Sequence, residues 1–183
     1  MSEALRFATF ETAQGWCGVA WSGQGVARFR LPEASERAVV ARLRREATEG
    51  APPAFVLTLM ERARRYFDGE DVAFDDTPLD LSGAPEFSRA LYQAILKLKR
   101  GETTTYGALA ESFGAPKEAA RAVGQAMGAN PVPLIAPCHR VLAAGGRIGG
   151  FSGPDGAKGK ARLLAMEGVR LNDADPAQAD FDF

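Results

Sequence analysis

The stretch TTTYGALAESFGAPKEAARAVGQAMGAN, residues 103–130, decides the fold of the second half of the chain. Its pattern predicts a short helix over residues 106–113, a tight turn at 114–115 and a second helix from residue 116 to about residue 128. Two short helices joined by a turn that contains glycine are typical of a helix-turn-helix. An ordinary pair of antiparallel helices, which is commoner, has the same pattern.

Small residues dominate the second of these helices. They are Ala119, Ala120, Ala122, Val123, Gly124, Ala126, Gly128 and Ala129. Glycine at position 124 costs up to about 1 kcal/mol relative to alanine in a helix interior. This cost indicates that something approaches the helix backbone closely, either a neighbouring helix or a nucleic-acid groove. Arg121 is the one long basic side chain in the middle of the small-residue surface.

The next stretch, NPVPLIAPCHR (residues 130–140), places the only histidine of the chain, His139, directly after Cys138, one of two cysteines. Asn130-Pro131 is predicted to end the preceding helix, and three prolines stiffen the approach to Cys138. A rigid approach matters if a nucleophile must be held in place. The dipeptide by itself also fits a buried structural cysteine followed by a structural histidine.

Nucleophilic chemistry would need a third residue. A cysteine reacts as the thiolate, a histidine can act as its base, and a carboxylate can orient the imidazole. Glu167 lies near the end of a predicted final helix, AKGKARLLAMEG, where a carboxylate is mildly unfavourable with the helix dipole. We therefore expect Glu167 to have another partner. In a strand, Cys138 and His139 would point to opposite faces, so His139 would act through a water or around a turn.

The first half of the chain has the pattern of a small sheet with helices. The runs RFATFET, WCGVAWS and GVARFRL predict an antiparallel meander within the first 31 residues. Ser35 is predicted to cap a helix, SERAVVARLRREA, and FVLTLMERARRYFDG predicts a second helix that ends near Gly69. Residues 69–85 are acidic and rich in turn formers, so a domain boundary is expected between about residues 76 and 86.

A helix is then expected from Pro85 to Gly101, with Lys97, Lys99 and Arg100 in its last turn. The predicted fold class is α+β. A small N-terminal α/β domain with an antiparallel sheet (residues 1–80) precedes a mainly helical, winged-helix-like domain with the helix-turn-helix (residues 85–170). Residues 171–183 form an acidic tail that is predicted to be disordered.

Charge is unevenly distributed along the chain. The net charge is −4 over residues 1–88, +7 over residues 89–170 and −4 over residues 171–183. Segregated basic charge is typical of polyanion binding, although a solvated charged surface has the same composition. No run is long enough for a membrane helix, and the N-terminus does not resemble a signal peptide. Two distant cysteines predict neither a disulfide framework nor a zinc site, so a reducing, cytoplasmic location is expected.

Residues 85–170 resemble the catalytic domain of the O6-alkylguanine-DNA alkyltransferases, also called methylated-DNA–protein-cysteine methyltransferases. The matching stretches, in the order and near the spacing of that family, are RGETTTYGALA, ARAVGQAM, NPVPLIAPCHRV, GGFSG and LLAMEG. Residues 1–80 resemble the N-terminal half of the family only loosely.

The resemblance implies DNA repair by a single-turnover, cofactor-free enzyme that acts as a monomer on double-stranded alkylated DNA. It would bind the minor groove, flip out an O6-alkylguanine or an O4-alkylthymine, and move the alkyl group irreversibly onto its own cysteine. The implied catalytic residues are Cys138 as acceptor, His139 as base through a water, Glu167 as its orienting carboxylate, Tyr106 as proton donor to the leaving guanine, and Asn130 as support of the turn.

The same resemblance assigns DNA-binding and pocket residues. Arg121 would fill the space left by the flipped base. The other implied DNA contacts are Ala119, Ala120, Gly124, Thr103 and Thr104, and the implied base pocket comprises Pro133, Val141, Phe151, Ser152 and Lys160.

Three departures from the family pattern stand out. Phe151 stands where some members have tyrosine, and SGPDGAKGK is about two residues longer than in some members. No metal is predicted, because Cys17 has no histidine near it in the N-terminal domain.

The alternative functions are a non-catalytic damage sensor, a DNA-binding regulator and a cysteine hydrolase. A sensor of the related kind lacks the acceptor cysteine, and a regulator would need no Cys-His pair. A cysteine hydrolase would release its product and act repeatedly, whereas an alkyltransferase of this family acts once.

Overall fold

A computed structural model describes residues 4–171, which form two compact units. The first unit runs to Ala84 and also contains Pro131–Ile135, and the second contains Pro85–Asn130 and the chain from Ala136. The division after Ala84 lies within the expected boundary region. Residues 131–135, in contrast, were expected in the second domain and belong to the first unit. The predicted acidic tail lies outside the described residues from residue 172 onward.

The sheet of the first unit confirms the predicted meander. Strands β1 (Leu5–Thr12), β2 (Gly15–Trp21) and β3 (Val26–Glu33) pair antiparallel in sequence. A fourth strand, β4 (Ala47–Glu49), was not predicted and pairs parallel to β1, so the order across the sheet is β3-β2-β1-β4.

Helix α1 (Glu36–Leu43) begins as predicted, because the Ser35 side chain accepts a hydrogen bond from the backbone N–H of Ala38. The expected end at Ala47 is wrong, since Ala47 is the first residue of β4. Ala47 pairs with Leu5 in the sheet and is buried in the core with Phe7, Ala20, Val39 and Leu43. Ladder hydrogen bonds and burial at the sheet edge replace the last helical turn.

Helix α2 (Ala54–Phe67) completes the first unit, close to its predicted position. Its buried residues are Val56, Leu59, Met60, Ala63, Tyr66 and Phe67. They repeat at the three- and four-residue spacing of one helix face, which is why the pattern was readable from the sequence. Burial of each large side chain contributes about 1.5–3 kcal/mol before the cost of ordering the chain.

The second unit is mainly helical. Its helices are α3 (Glu86–Ile95), α4 (Tyr106–Ser112), α5 (Ala120–Gly128) and α6 (Gly156–Met166), and its two short strands are β5 (Thr104–Thr105) and β6 (Val141–Leu142). The two strands pair parallel to each other. The Tyr92 hydroxyl, on α3, donates to the carbonyl of Ala126, on α5, at 2.7 Å, which ties these helices together.

The predicted end of α3 at Gly101 is wrong by six residues, and Pro85 precedes the helix as its cap rather than forming its first residue. After Ile95 the chain continues in tight turns, with Leu98 N–H donating to the Ile95 carbonyl. These turns present the Leu98 carbonyl to Arg140 and bring Arg100 to the carbonyl of Met166. Lys97, Lys99 and Arg100 therefore lie beyond the helix.

The helix pair α4–α5 lies where the sequence predicted it, with two local differences. Helix α4 ends at Ser112, and its start is capped by Thr105, whose hydroxyl accepts from the Ala108 N–H. Residues 117–119 form a 3₁₀ turn, so α5 begins only at Ala120. Within residues 4–171, no helix combines the length and the apolar character needed to cross a membrane.

Candidate active site

The Cys-His pair lies in a 3₁₀ turn over Cys138–Arg140, immediately before β6. The Cys138 N–H donates to the Ala136 carbonyl at 2.8 Å, and the Arg140 N–H donates to the Pro137 carbonyl at 2.9 Å. All three side chains of the turn are buried. A turn does not force neighbouring side chains onto opposite faces as a strand does, so one short segment can direct all three inward.

Glu167, the residue directly after α6, lies beside this turn. Its Oε1 atom lies 2.8 Å from His139 Nε2, although the two residues are 28 positions apart in the chain. Arg140 donates to the same carboxylate twice, from Nε to Oε2 at 2.8 Å and from Nη2 to Oε1 at 2.9 Å. The expectation that Glu167 has a further partner is therefore met by two side chains.

Arg140 is the site residue that sequence reasoning missed. It lies in the quoted stretch, and its position directly after the Cys-His pair was visible. The second signal was the carboxylate at an unfavourable helix end, which called for a cation. Nothing in the sequence alone connects the two, because Arg140 and Glu167 are 27 positions apart.

Burial and ion pairing set the charge states of this cluster. Burial by itself would raise the pKa of Glu167, but hydrogen bonds from His139 and Arg140 outweigh it and hold the pKa well below its usual range. Burial lowers the pKa of His139, and Glu167 opposes that shift only in part. The resting pair is thus a neutral imidazole beside an ionised carboxylate.

These charge states define the histidine tautomer. An ionised carboxylate only accepts hydrogen bonds, so His139 Nε2 carries the proton and donates it to Glu167. The lone pair then resides on Nδ1. This atom is buried and has no hydrogen-bond partner among residues 4–171. A buried acceptor without a partner is where a water or a substrate group would be expected to bind.

Cys138 is 4% exposed, and burial raises the pKa of its thiol. A hydrogen bond from Asn130 and the nearby charge of Lys160 act in the opposite direction without overcoming burial. Asn130 also donates from Nδ2 to the Ala136 carbonyl at 2.7 Å, which braces the approach to the turn. The resting cysteine is therefore a thiol that needs a base in order to react.

Lys160, on α6, is completely buried. Its Nζ donates to the Val141 carbonyl at 2.6 Å, to the Tyr106 hydroxyl at 3.2 Å and to the Gly150 carbonyl at 3.4 Å. Burial lowers the pKa of Lys160 to about 8, with the interaction with Cys138 acting in the opposite direction. This residue thus places a titratable cation among the backbone carbonyls and the phenol of the site.

Tyr106, the first residue of α4, donates its hydroxyl proton to the Gly150 carbonyl at 3.2 Å. Burial raises the pKa of Tyr106, so the phenol keeps its proton at rest. The glycine-rich loop packs against its ring. Gly149 has a φ of +71°, and a Cβ atom there would lie 3.2 Å from the ring, so both the backbone conformation and the close approach require glycine.

The surface of α5 distinguishes between the two explanations for its small residues. No atom lies within 4 Å of the position that a Cβ atom of Gly124 would take, so no neighbouring element requires glycine there. Arg121 is exposed and Ala119 and Ala120 are half-buried. Packing against another helix within the described chain is therefore not the reason for Gly124.

The remaining predicted residues are spread over several elements. Thr104 begins β5 after the exposed Thr103, and Val141 is buried in β6. In the loop before α6, Phe151 is half-buried and Ser152 is exposed. Pro133 belongs to the segment that is assigned to the first unit. Within residues 4–171, no group of three or more His, Cys, Asp or Glu side chains is arranged to hold a metal ion.

Comparisons with known proteins point to one family. The model of the 6-O-methylguanine DNA methyltransferase DNA-binding domain matches residues 86–169. A methylated-DNA–protein-cysteine methyltransferase of Methanothermobacter thermautotrophicus is 36% identical over 155 residues, which are 84% of this chain and 80% of that protein. A Thermus thermophilus protein named DNA base-flipping protein is 41% identical over 119 residues, 65% of this chain and 78% of that protein.

A solved structure agrees with these relatives. The crystal structure of the Mycobacterium tuberculosis OGT in complex with DNA superposes with a TM-score of 0.73 at 34% identity, covering 97% of this chain and 99% of the other. Together the fold and these relatives define a DNA-repair methyltransferase. The chain belongs to the methylated-DNA–protein-cysteine methyltransferase family, as its motifs predicted.

Proposed function

We propose that this protein repairs double-stranded DNA by transferring an alkyl group from O6 of an alkylated guanine irreversibly to Cys138. The observation that carries this proposal is the geometry around His139. Its Nε2 is bound to Glu167 at 2.8 Å, its buried Nδ1 has no partner within residues 4–171, and the preceding residue in the same 3₁₀ turn, Cys138, carries a buried free thiol. Such an arrangement supplies a base for one buried nucleophile.

The transfer step proceeds as a displacement at the alkyl carbon. The Cys138 thiol passes its proton through a water to His139 Nδ1, and the imidazolium that forms is stabilised by the Glu167 carboxylate. The sulfur forms a bond to the alkyl carbon as the bond between that carbon and O6 breaks. The electron pair of the broken bond stays on the guanine. The product is a thioether, which no group in the site can cleave, so each molecule acts once.

The leaving guanine acquires negative charge and needs a proton. Tyr106 supports this role because its phenol is protonated at rest and lies at the glycine-rich loop. Lys160 donates to the same hydroxyl and would stabilise the negative charge that develops on the phenolic oxygen when its proton leaves. Val141 and Ser152 would contact the flipped base, with Phe151 stacking on it.

Access of Cys138 to a base in DNA requires base flipping, because the reacting O6 is otherwise within the stack. The Thermus thermophilus relative is named a DNA base-flipping protein, which supports flipping. The Mycobacterium tuberculosis neighbour was solved in complex with DNA, which supports DNA binding. The open, small-residue face of α5, with Ala119, Ala120 and Gly124, suits a minor groove, and Arg121 would occupy the space of the flipped base. Thr103 and Thr104 would contact the DNA backbone near α4.

A second candidate is a non-catalytic sensor of alkylated DNA. The similarity to the Thermus thermophilus protein favours it, because the name of that protein describes base flipping. Cys138 favours transfer, because a sensor has no need of a nucleophile with a base and an orienting carboxylate.

The proposed transfer extends to O4-alkylthymine as a second lesion. A monomer suffices for the reaction, since the residues proposed for the chemistry come from one chain.

The test is the intact mass of the protein after incubation with a duplex that contains O6-methylguanine, followed by peptide mapping. We expect one methyl group, on Cys138, and loss of one lesion per protein molecule. Cys17 is the internal control, because it is buried and burial raises its pKa to about 12. Cys138→Ala should bind the lesion and gain no mass, and Cys17→Ala should be methylated normally. Lesion binding without any mass change in the wild type would establish the sensor instead.

Base flipping is tested separately with Arg121→Ala. We expect this variant to lose transfer from duplex DNA while retaining transfer from free O6-methylguanine base, because the free base needs no extrusion. Lys117, also exposed and close in sequence, is the matched control, since Lys117→Ala removes a positive charge without removing the inserted side chain. Equal loss with both substrates would assign Arg121 to the chemistry or the fold rather than to flipping.

A further inference from the structure

The guanidinium of Arg140 is held on both sides. Its Nε and Nη2 atoms donate to the two oxygens of Glu167 at 2.8 and 2.9 Å, and Nη1 donates to the Leu98 carbonyl. The side chain is 9% exposed. Two parallel bonds from a planar guanidinium fix the plane of a carboxylate as well as its position. The Leu98 carbonyl in turn keeps the guanidinium from rotating.

Glu167 Oε1 is shared between two donors, Arg140 Nη2 and His139 Nε2. With Oε2 held by Arg140 Nε, the described residues supply partners for both oxygens. Arginine retains its charge under all ordinary conditions, so it favours the ionised carboxylate. An ionised carboxylate in this plane can only accept from Nε2, which leaves the imidazole lone pair on Nδ1.

We propose that Arg140 is a positioning residue for alkyl transfer, which clamps Glu167 in the ionised form and thereby selects the His139 tautomer with a basic Nδ1. This inference rests on the proposed function, because it assigns His139 the role of base. In this proposal Arg140 does not touch the reacting atoms. It acts on the Glu167 carboxylate, which in turn orients the His139 imidazole.

The charges around His139 determine what loss of Arg140 would do. Glu167 favours the imidazolium, whereas burial and the positive charges of Arg140 and Lys160 disfavour it. The two phenols that interact with Cys138 are Tyr92, on α3, and Tyr106, on α4, and burial raises the pKa of both, so they are uncharged. Removal of the Arg140 charge therefore makes protonation of His139 easier, and the imidazole becomes charged at a higher pH.

Because His139 is the only histidine of the chain, its ring nitrogens can be observed without assignment ambiguity. We would record ¹⁵N spectra of the imidazole in the full chain as a function of pH. The wild type is expected to show one tautomer, protonated at Nε2, over the neutral range. Arg140→Gln is expected to show a mixture of tautomers and a midpoint of protonation shifted to higher pH.

The second readout is the single-turnover rate of methyl transfer from a duplex that contains O6-methylguanine. The acidic limb of the pH–rate profile should move to higher pH in Arg140→Gln, in parallel with the ¹⁵N midpoint. Arg140→Lys retains the charge but not the fork, so its midpoint should stay near that of the wild type while its rate falls tenfold or more. A tenfold loss is smaller than the about 10²–10⁴-fold that a positioned general base contributes, as expected when the base is misplaced but not removed.

Leu164→Ala is the structural control. Leu164 is fully buried on α6, and its truncation destabilises the same helix without touching the charged cluster. We expect this variant to have the wild-type tautomer and pH midpoint. If Arg140→Gln is too unstable to study, the rate of Arg140→Lys decides the question, and a wild-type rate for that variant would overturn the proposal.

The two proposals fail in distinguishable ways. An unchanged tautomer and midpoint in Arg140→Gln, with normal transfer by the wild type, would overturn only the role of Arg140. A wild type that never transfers a methyl group would remove the proposed function, and the ¹⁵N spectra would still report whether Arg140 controls the imidazole.

Discussion

Lys160, fully buried, donates a hydrogen bond to the hydroxyl of Tyr106 at 3.2 Å. The phenol has a pKa raised by burial, and the ammonium has a pKa lowered by burial to about 8. Burial thus favours the neutral form of both groups, and the tyrosine keeps a proton that it can give away. Lys160 lies where it would offset the charge left on the phenolic oxygen.

The first prediction concerns alkaline pH. We expect the single-turnover rate to fall as Lys160 loses its proton, with a midpoint near its pKa of about 8. Lys160→Met should transfer more slowly at neutral pH and should lack this alkaline fall. The measurement is the pH–rate profile of both proteins from neutral to alkaline pH. An identical alkaline limb in the variant would assign the fall to another group.

Lys160 also gives a prediction for stability. Its folded-state pKa, about 8, is below the ordinary value of 10.5, so the unfolded chain binds more protons between these two pH values. The free energy of unfolding of the wild type should therefore rise relative to that of Lys160→Met as the pH increases through this window. Denaturant unfolding at neutral and alkaline pH measures this difference. If the free energy of unfolding of the wild type instead falls relative to that of Lys160→Met over this pH range, the environment of Lys160 does not disfavour its charged form.

The third prediction concerns Tyr106. In Tyr106→Phe the ring remains but the proton donor is lost, so the transfer rate should fall by about 10²-fold while lesion binding is retained. The matched control is Tyr92→Phe, which loses the buried hydrogen bond to Ala126, worth about 1 kcal/mol, and should transfer at the wild-type rate. Equal slowing in both variants would indicate a general effect of a lost phenol on the fold.

The fourth prediction concerns acid stability. The pKa of Glu167 is held well below its usual range in the folded protein. Its contribution is therefore fully present above the unfolded value of about 4.5 and is lost as the pH falls toward the folded-state value. Glu167→Gln should cost about 3–5 kcal/mol at neutral pH, because it breaks a buried ion pair. This cost should shrink in acid. If the difference in free energy of unfolding between the wild type and Glu167→Gln does not change with pH, ionisation of Glu167 contributes nothing to stability.

The fifth prediction uses the open position at Gly124. Gly124→Ala should raise the free energy of unfolding by up to about 1 kcal/mol, because nothing within 4 Å obstructs a Cβ atom. Gly124→Leu should also fold, but it should bind duplex DNA more weakly, since a long side chain would keep α5 out of the DNA groove. Gly128 has the same open surroundings, and Gly128→Ala serves as the control for helix propensity alone. If Gly124→Leu binds DNA with wild-type affinity, the DNA does not bind at this face of α5.

Local patterns predicted most elements of this fold, since their causes lie within a few residues. The Ser35 cap, the apolar face of α2 and the strand-turn-strand runs of the meander depend on neighbours in the sequence. The errors occurred where a distant partner ended an element. Helix α1 stops because Ala47 pairs with Leu5, and α3 stops because the Leu98 carbonyl and Arg100 bond to the region of Arg140 and α6.

The candidate site divides in the same way. The adjacency of Cys138 and His139 and the motif resemblance named most of its members. The pairing of Arg140 with Glu167 was missed, because it joins a turn to a helix end 27 positions away. Both explanations for Gly124 remained open until the space around it was known.

The sequence predicted the β1–β3 meander and most of the helices, the basic charge of the second half, the single histidine next to a cysteine in the chain, and the family. These are properties of composition and of residues close in the chain. The tertiary structure alone decided that His139 is neutral, that its Nε2 donates to Glu167, that Lys160 is buried and that Arg140 clamps the carboxylate. Burial and hydrogen bonding between residues far apart in the chain set charge states, and both arise only when the second unit has folded.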